Sequence, residues 1–375
     1  MKKLLIASAV TAAFAAPGAA LAQQARTPTL SQVLDASGIS VNGYIDAQYN
    51  WANRNLLATL PDRVFDAQNN SFGLHQFGLT VAKQPKEGFG GLVNITAGQD
   101  AQVIHSFPEP SGVASGSSMF DLTQAYGSYS KGAFTAIAGK FATLAGTEVI
   151  ASTGNTNISR SILFGAIPFT HTGVRASYAP SDTVTVYGGL NNGWDQLTDF
   201  NRQKTLELGA TLNPVKPLTF TVSGYFGDEA AVPPGTQPAA FQGNRNMIDF
   251  VANYIVSSSI NLGGEYLYAA QEDTPANGTA KWSGLALYGN MMVNPQWRLS
   301  VRGEYFDDKQ GFHFATPQGT KYYEGTLTLG YLPTSSVELR TEVRMDKANN
   351  SVFVDSDGSA SKTLMTFGLQ GLYKF

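Results

Sequence analysis

The stretch VELRTEVRM at positions 337–345 places a charged side chain at every second position. The charges are Glu338, Arg340, Glu342 and Arg344, and the positions between them are mostly apolar. A period of two is the period of a β-strand, whose successive side chains point to opposite faces of the sheet. The stretch therefore predicts a strand with one dry face and one wet face.

Two all-β architectures fit such a strand. In a soluble sandwich, the charged face lies on the outer surface and the apolar face packs on a second sheet. In a membrane-spanning barrel, the apolar face meets lipid and the charged face meets a water-filled interior. One strand does not decide between them, so the other strands and their connections have to.

The N-terminus has the layout of a secretory signal peptide. Lys2 and Lys3 precede an apolar run that ends in the possible cleavage sequence Ala20 to Ala22. We expect three parts of the chain: a signal peptide at 1–22, a short periplasmic lead-in at 23–38, with a helix over 30–38 capped by Thr29, and a strand-built body at 39–375.

Composition excludes several classes of protein. The 375 residues include no cysteine, so no disulfide can hold the fold together. Beyond the signal peptide, no apolar run reaches the ~18 residues of a spanning helix, so any membrane insertion has to use strands. Lys and Arg number 25 against 28 Asp and Glu, and this mild acidity argues against a nucleic-acid binder.

Alternation and turn signals predict sixteen strands. They are centred on 41–49, 72–82, 89–97, 121–129, 133–140, 169–178, 183–190, 204–212, 218–226, 247–255, 259–268, 282–291, 297–306, 322–331, 337–345 and 364–375. In the second strand, Phe72 and Leu74 fall out of phase with the apolar residues that follow, which predicts a β-bulge.

The connections between these strands favour the membrane barrel. Short connections follow the even-numbered strands, and long ones follow the odd-numbered strands. Tight periplasmic turns and extended outer loops give outer-membrane barrels this alternation. We therefore predict a transmembrane, antiparallel, up-and-down β-barrel of about sixteen strands in the bacterial outer membrane.

Several segments resemble one family of such barrels. The chain ends in GLYKF, which resembles the terminal strand of Gram-negative outer-membrane proteins. The runs at 70–85, 95–101, 139–150 and 171–195 resemble the OmpL-like beta-barrel porins, the type-two porin family. The likeness extends over most of the chain beyond the signal peptide.

The resemblance carries expectations about function. It implies an aqueous pore for passive diffusion of small hydrophilic solutes, with no catalytic activity and no cofactor. It implies that the connection at 141–168 folds inward and narrows the pore, with Glu148 and Arg160 as its charges. The expected partners are outer-membrane lipid and lipopolysaccharide, the barrel-assembly machinery that reads Phe375, and two further copies in a homotrimer.

Strand parity predicts charged residues that point into the barrel. The candidates for pore-lining residues are Lys140, Arg175, Arg298, Arg302, Glu304, Glu324, Glu338, Arg340, Glu342 and Arg344. Because inward acids and bases nearly balance, we expect weak ion selectivity. The alternative is that the four charges of 337–345 form local cross-strand ion pairs that do not affect permeation.

Two other function classes remain open at this point. A non-conducting adhesin or structural barrel needs no pore, and a barrel enzyme needs a nucleophile with a histidine and a third group. The four histidines, His75, His105, His171 and His313, have no metal-ligand spacing. The sequence DSDGS at 355–359 resembles the start of a calcium loop but lacks the distal glutamate, so a solvated turn is the better interpretation.

Overall fold

A computed structural model describes residues 29–56, 62–66, 68–106, 118–199, 201–229, 243–274 and 278–375. The predicted signal peptide and the start of the lead-in lie outside these residues. The helices are α1 Leu30–Ser37, α2 Ala101–Ile104 and α3 Ile162–Gly165. The strands are β1 Ser40–Ala52, β2 Ser71–Lys83, β3 Gly88–Ala97, β4 Phe120–Lys131, β5 Phe134–Ala142, β6 Thr170–Ser181, β7 Val184–Asn191, β8 Thr205–Val215, β9 Leu218–Asp228, β10 Asn244–Ser257, β11 Ile260–Thr274, β12 Gly278–Asn294, β13 Trp297–Asp308, β14 Thr320–Tyr331, β15 Val337–Ala348, β16 Phe353–Val354, β17 Ala360–Ser361 and β18 Thr363–Lys374.

Sixteen of these strands form one closed antiparallel barrel in the described part of the chain. Each of β1 to β15 pairs with its sequence neighbours, and β18 closes the ring between β15 and β1. The pair β16 and β17 is a separate small hairpin in the last connection. All sixteen predicted strands are therefore confirmed, and the predicted barrel is the fold.

The connections alternate in length as predicted, with one exception. Turns of two to five residues follow the even-numbered strands of the barrel. The connections after β1, β3, β5, β7, β9, β13 and β15 span 11 to 27 residues. The exception is the connection after β11. This strand continues to Thr274 and β12 begins at Gly278, so residues that the sequence assigned to a long loop extend a tall hairpin.

The phase break in β2 is a bulge, as predicted. Asp46 of β1 pairs with Gln76, but the next residue, Ala47, pairs with Leu74, so His75 is the extra residue. Because of this extra residue, the apolar side chains before and after the bulge all point to the outer face of the barrel. The bulge also buries His75 and Gln76 side by side, and both take part in the interior described below.

The two faces of the barrel differ in chemistry. Outward-facing residues are apolar and exposed on every long strand, and examples are Leu208, Phe250, Leu287, Leu327 and Met345. Most inward-facing residues of β13 to β15 are charged or hydroxylated and buried, and Phe306 and Ala348 are the apolar ones near the outer loops. An apolar outer band around a polar interior is the arrangement of a lipid-embedded barrel. Among the described helices, none is both long and apolar enough to cross a membrane.

The predicted helix is present as α1, and it belongs to a compact unit separate from the one that contains the barrel. Thr29 caps α1: its hydroxyl accepts from the Gln32 amide at 3.4 Å, and its own amide donates to Gln32 Oε1 at 2.9 Å. This reciprocal pair is a capping box. The one-turn helices α2 and α3 were not predicted, because four residues carry no helical periodicity.

The C-terminal residue completes the ring. The backbone of Phe375 exchanges two hydrogen bonds of 2.9 Å with Gly43 at the start of β1. Its ring lies 5.9 Å from Tyr373 and 6.4 Å from Phe77, measured between centroids. The last residue therefore closes the seam between the first and last strands through both its backbone and its side chain.

Deleting Phe375 should lower the temperature at which the barrel unfolds, because the seam loses two backbone hydrogen bonds of about 0.5–1.5 kcal/mol each. The measurement is heat-modifiable gel migration over a temperature series in mild detergent. Phe375→Leu is the control that keeps both backbone bonds and loses only the ring contacts. Equal unfolding temperatures for the deletion and the control would contradict a backbone role at the seam.

Candidate functional site

The connection between β5 and β6, residues 143–169 and here called L3, lies inside the barrel. At its start, the Tyr225 hydroxyl on β9 accepts from the Leu144 amide at 2.8 Å. In its middle, the Ser152 amide donates to Gln76 on β2 at 3.1 Å. At its end, Trp282 on β12 donates to the Ala166 carbonyl at 3.2 Å. One loop that reaches β2, β9 and β12 has to cross the interior.

Two glutamates of the wall hold the far end of L3 by its backbone. Glu304 on β13 accepts from the amides of Ile162 and Leu163 at 2.8 and 2.7 Å, which are the first amides of α3. Glu342 on β15 accepts from the amides of Ile158 and Ser159, just before α3, at 2.6 and 2.9 Å. The first amides of a helix lack partners within the helix, and a carboxylate is a strong acceptor for them.

A second pair of carboxylates holds the near end. Asp249 on β10 accepts from the Gly146 amide at 2.9 Å, and Glu265 on β11 accepts from the Thr147 amide at 2.7 Å. Both carboxylates are almost fully buried. Four acidic side chains on four strands thus bind six backbone amides of L3, and they fix the loop at both ends against the same side of the barrel.

Arginines of the same wall bind L3 and pair with other carboxylates beside it. Arg302 donates to Glu148 at 2.8 Å, to the Ser159 carbonyl at 2.8 Å and to Glu324 at 3.1 Å. Arg344 donates to the Arg160 carbonyl at 2.6 Å, and its Nη2 lies 2.7 Å from Asp346. A buried charge is tolerated when it is paired and hydrogen-bonded, and both arginines meet that condition.

The two charges of L3 itself are used within the loop and its anchors. Arg160 donates to the carbonyls of Val149, Ile150 and Ile158 at 2.9–3.1 Å. Burial lowers the pKa of Arg160 from its ordinary value, and nearby Glu148 opposes that shift. Glu148 accepts from the Ser161 amide at 2.6 Å as well as from Arg302 on the wall. Both side chains are buried, so neither is presented to solvent.

The first outer connection reaches into the same interior. Arg63 donates to Asp346 at 2.7 Å and also pairs with Asp66. The Phe65 ring packs on Phe164 of L3 at 5.5 Å between centroids. Burial raises the pKa of Asp62 well above its usual range, and the negative charge of Asp346 adds to the effect. L3 is therefore held between the wall and a second loop.

The structure groups most of the predicted pore-lining charges and covers them. Arg302, Glu304, Glu324, Arg340, Glu342 and Arg344 face the interior as their parity predicted, but each is buried, at 6% exposure or less. L3 contacts five of these six side chains directly, and Glu324 pairs with Arg302 beside it. Their part in permeation stays a prediction, whereas their contacts make them anchors of L3.

The remaining predicted charges lie at other places on the wall. Arg298 pairs with Glu338, which in turn accepts from Arg340 at 2.7 Å. Arg175 pairs with Glu207, and its guanidinium lies 4.3 Å from the centre of the Phe141 ring. Lys140 lies 3.2 Å from Asp121, which also contacts His105 at 3.3 Å. Every predicted pore charge therefore has a partner of opposite charge or a hydrogen bond to L3.

The histidines and the DSDGS segment lie apart from one another. His75 Nδ1 is 2.8 Å from Asp100, and burial lowers the pKa of His313 to about 4. Asp355 pairs with Arg54 at 2.5 Å, and Asp357 accepts from the Ser359 amide at 2.8 Å, so DSDGS is a hairpin turn. In the described residues, no group of three or more His, Cys, Asp or Glu side chains is arranged to hold a metal ion.

Comparison with known proteins places this geometry in a family. A model of the beta-barrel porin-2 family, OmpL-like, matches residues 38–375. The chain belongs to that family. It is therefore an outer-membrane porin, and the predicted family, fold class and outer-membrane location are confirmed. A search of curated protein sequences gave no match.

Solved outer-membrane proteins share the fold of the porin at low sequence identity. The outer membrane channel DcaP of Acinetobacter baumannii aligns with a TM-score of 0.62 at 13% identity over 90% of this chain and 97% of that one. An anion-selective porin from Comamonas acidovorans aligns with a TM-score of 0.63 at 10% identity over 90% and 99%. OmpT of Vibrio cholerae in its trimer form gives 0.60 at 13% identity over 90% and 99%.

Sequence reasoning missed several residues that hold L3 in this porin. Asp346 continues the alternation of β15 by one step beyond Arg344, so extending the quoted stretch by one residue would have found it. Arg63 and Phe65 lie in a loop without periodicity, and no sequence pattern places them in the barrel interior. Gln76 faces inward in phase with Gly78 in β2, so the parity of that strand could have found it.

Replacing Glu304 by Ala should free the end of L3. The amides of Ile162 and Leu163 lose their acceptor, and a buried unsatisfied donor costs about 1–3 kcal/mol. Hydrogen exchange measured by mass spectrometry should become faster in residues 158–165, while the strands remain protected. Glu87→Ala, in the exposed turn before β3, is the matched control. Unchanged exchange of this segment in a folded variant would show that Glu304 does not hold the loop.

Proposed function

We propose that this porin passes small hydrophilic solutes by passive diffusion through the part of the interior that L3 leaves open, with weak ion selectivity. One observation supports the proposal above the others: six backbone amides of L3 are bound to carboxylates on β10, β11, β13 and β15. A loop held this way narrows a barrel on one side and leaves the opposite side free. The proposal includes no catalytic role, since the family and fold are those of channels.

The weak ion selectivity follows from how the charges are paired. Selectivity by rings of charge needs one sign of charge exposed at the narrow part of the pore. In this porin, the charges nearest L3 are buried, either in pairs of opposite sign, as for Arg302 with Glu324 and Arg344 with Asp346, or against backbone amides of L3, as for Glu304 and Glu342. At physiological salt, charges are also screened over about 8 Å. The field in the open part of the pore is therefore small.

The assembly of this porin is part of the same proposal. The trimer form of the Vibrio cholerae protein OmpT offers a precedent for the shared fold. The outward face of β5 to β7 carries small residues, among them Ala136, Ala176 and Gly188, which permit close approach of another surface. We propose a homotrimer in lipid and lipopolysaccharide, inserted by the assembly machinery through the strand that ends in Phe375.

Deleting residues 150–158 should enlarge the single-channel conductance in a planar bilayer. This segment spans the interior between Gln76 on β2 and Glu342 on β15, so its loss widens the open area. Heat-modifiable migration of the variant checks that the barrel is assembled. Unchanged conductance of an assembled variant would contradict L3 as the narrow part of the pore, and the absence of conductance in the unaltered protein would contradict the channel itself.

Replacing Arg340 and Arg344 together by Ala should shift the reversal potential in a salt gradient toward cations. The change leaves Glu338 and Asp346 without their arginine partners on β15. Arg202→Ala with Lys204→Ala removes the same charge from an exposed outer loop and serves as the control. An unmoved reversal potential in a conducting double variant would leave the arginines as anchors alone.

A further inference from the structure

The surface that L3 turns toward the open part of the barrel carries no charged side chain. The fully described loop contains two charged residues, Glu148 and Arg160, and both are buried. Val149, between them, is 46% exposed. The other partly exposed side chains include Leu144, Thr147, Thr153 and Thr156. We call these five residues the uncharged face of L3.

The wall beside the start of L3 is rich in hydroxyl and amide groups. On β6 to β10, the inward positions toward the periplasmic turns include Ser177, Thr185, Tyr187, Thr211, Thr221 and Asn253, all partly exposed. Their sequence neighbours Val186, Leu212 and Phe220 are exposed on the outside, which fixes the inward direction of this set. A hydroxyl or a side-chain amide can both donate and accept hydrogen bonds.

The uncharged face and this wall meet at the level where L3 leaves β5. A Cβ built on Gly209 would lie 3.2 Å from the Leu144 side chain and 3.5 Å from the Tyr187 ring. Arg175 on β6 is held by Glu207 and by the face of Phe141. A solute that passes this part of L3 therefore meets apolar side chains, hydroxyl, amide and tyrosine groups, and paired charges.

From this arrangement we infer that the porin favours uncharged, hydroxyl-rich solutes of monosaccharide size over charged solutes of the same size. The inference names the solute class for the proposed channel and rests on that proposal. A sugar hydroxyl that gives up water beside L3 finds donors and acceptors on the neighbouring wall. A carboxylate or ammonium group that loses part of its hydration finds no free charge to replace it.

Liposome swelling with matched solutes tests the inference. Liposomes containing the purified porin are exposed to isotonic glucose or to isotonic glucuronate, which differ little in size. Glucose influx is expected to be about fivefold faster, since partial dehydration of the carboxylate has no compensating charge. Equal rates, or faster influx of glucuronate, would overturn the inference while leaving the channel intact.

A charge placed on the uncharged face gives the second arm of the test. Val149→Lys should raise the glucuronate rate to within about twofold of the glucose rate, because the ammonium replaces lost hydration of the acid. Leu197→Lys adds the same charge to an exposed position of the connection between β7 and β8, and should leave the ratio unchanged. If Val149→Lys conducts and keeps the original ratio, L3 does not set it and the inference fails. Absence of conductance in all three proteins would refute the proposed channel as well.

Discussion

The arrangement of this porin depends on how a loop can cross the inside of a barrel without leaving its backbone unsatisfied. A strand in the wall has its amides paired by neighbours, but a loop in the interior has no ladder to join. L3 meets this constraint with wall carboxylates, and the amides of Ile162 and Leu163 on Glu304 are the clearest case. Two consecutive amides on one carboxylate fix both the position and the direction of the chain.

The need for carboxylates on the wall explains why β15 carries charged residues at alternate, inward positions. A buried carboxylate is stabilised by hydrogen-bond donors and by positive partners, and several carboxylates of this wall have an arginine within reach. Arg302 meets Glu324 at 3.1 Å, and Arg344 meets Asp346 at 2.7 Å. The alternation of VELRTEVRM thus has a structural basis. Glu342 binds amides of L3, Arg340 and Arg344 bind its carbonyls, and Glu338 pairs with Arg340 along the same strand.

The sequence predicted the wall of the barrel far better than its contents. Strand positions followed from alternation with period two, and even the bulge at His75 followed from a break in that phase. Parity also predicted that Arg302 and Arg344 face inward. The inward fold of the 141–168 connection came from resemblance alone, and its hydrogen-bond partners could not be predicted because L3 has no repeat that relates its amides to residues about 140–185 positions away.

Strand parity predicts the direction of a side chain but not its exposure, which is why the inward charges of β13 to β15 were predicted to line the pore. Period two tells only that a side chain points inward, not whether a loop then covers it. Arg340 and Arg344 face the interior, but their guanidinium groups end on carbonyls of Asn157 and Arg160 in L3. Whether an inward side chain of the wall contacts solvent depends on the position of L3 as well as on the strand, and the strand pattern alone does not give that position.

Burying the charges under L3 separates the residues that hold the loop from the residues that meet the solute. The anchors Glu304, Glu342 and Arg302 contact the side of L3 that faces the wall, whereas Val149 lies on the side that faces the open barrel. A substitution at Val149 changes no backbone bond to the wall. The chemistry of the narrow part of the pore can therefore vary without loosening the loop, because the backbone of L3 carries its attachment and the exposed side chains do not.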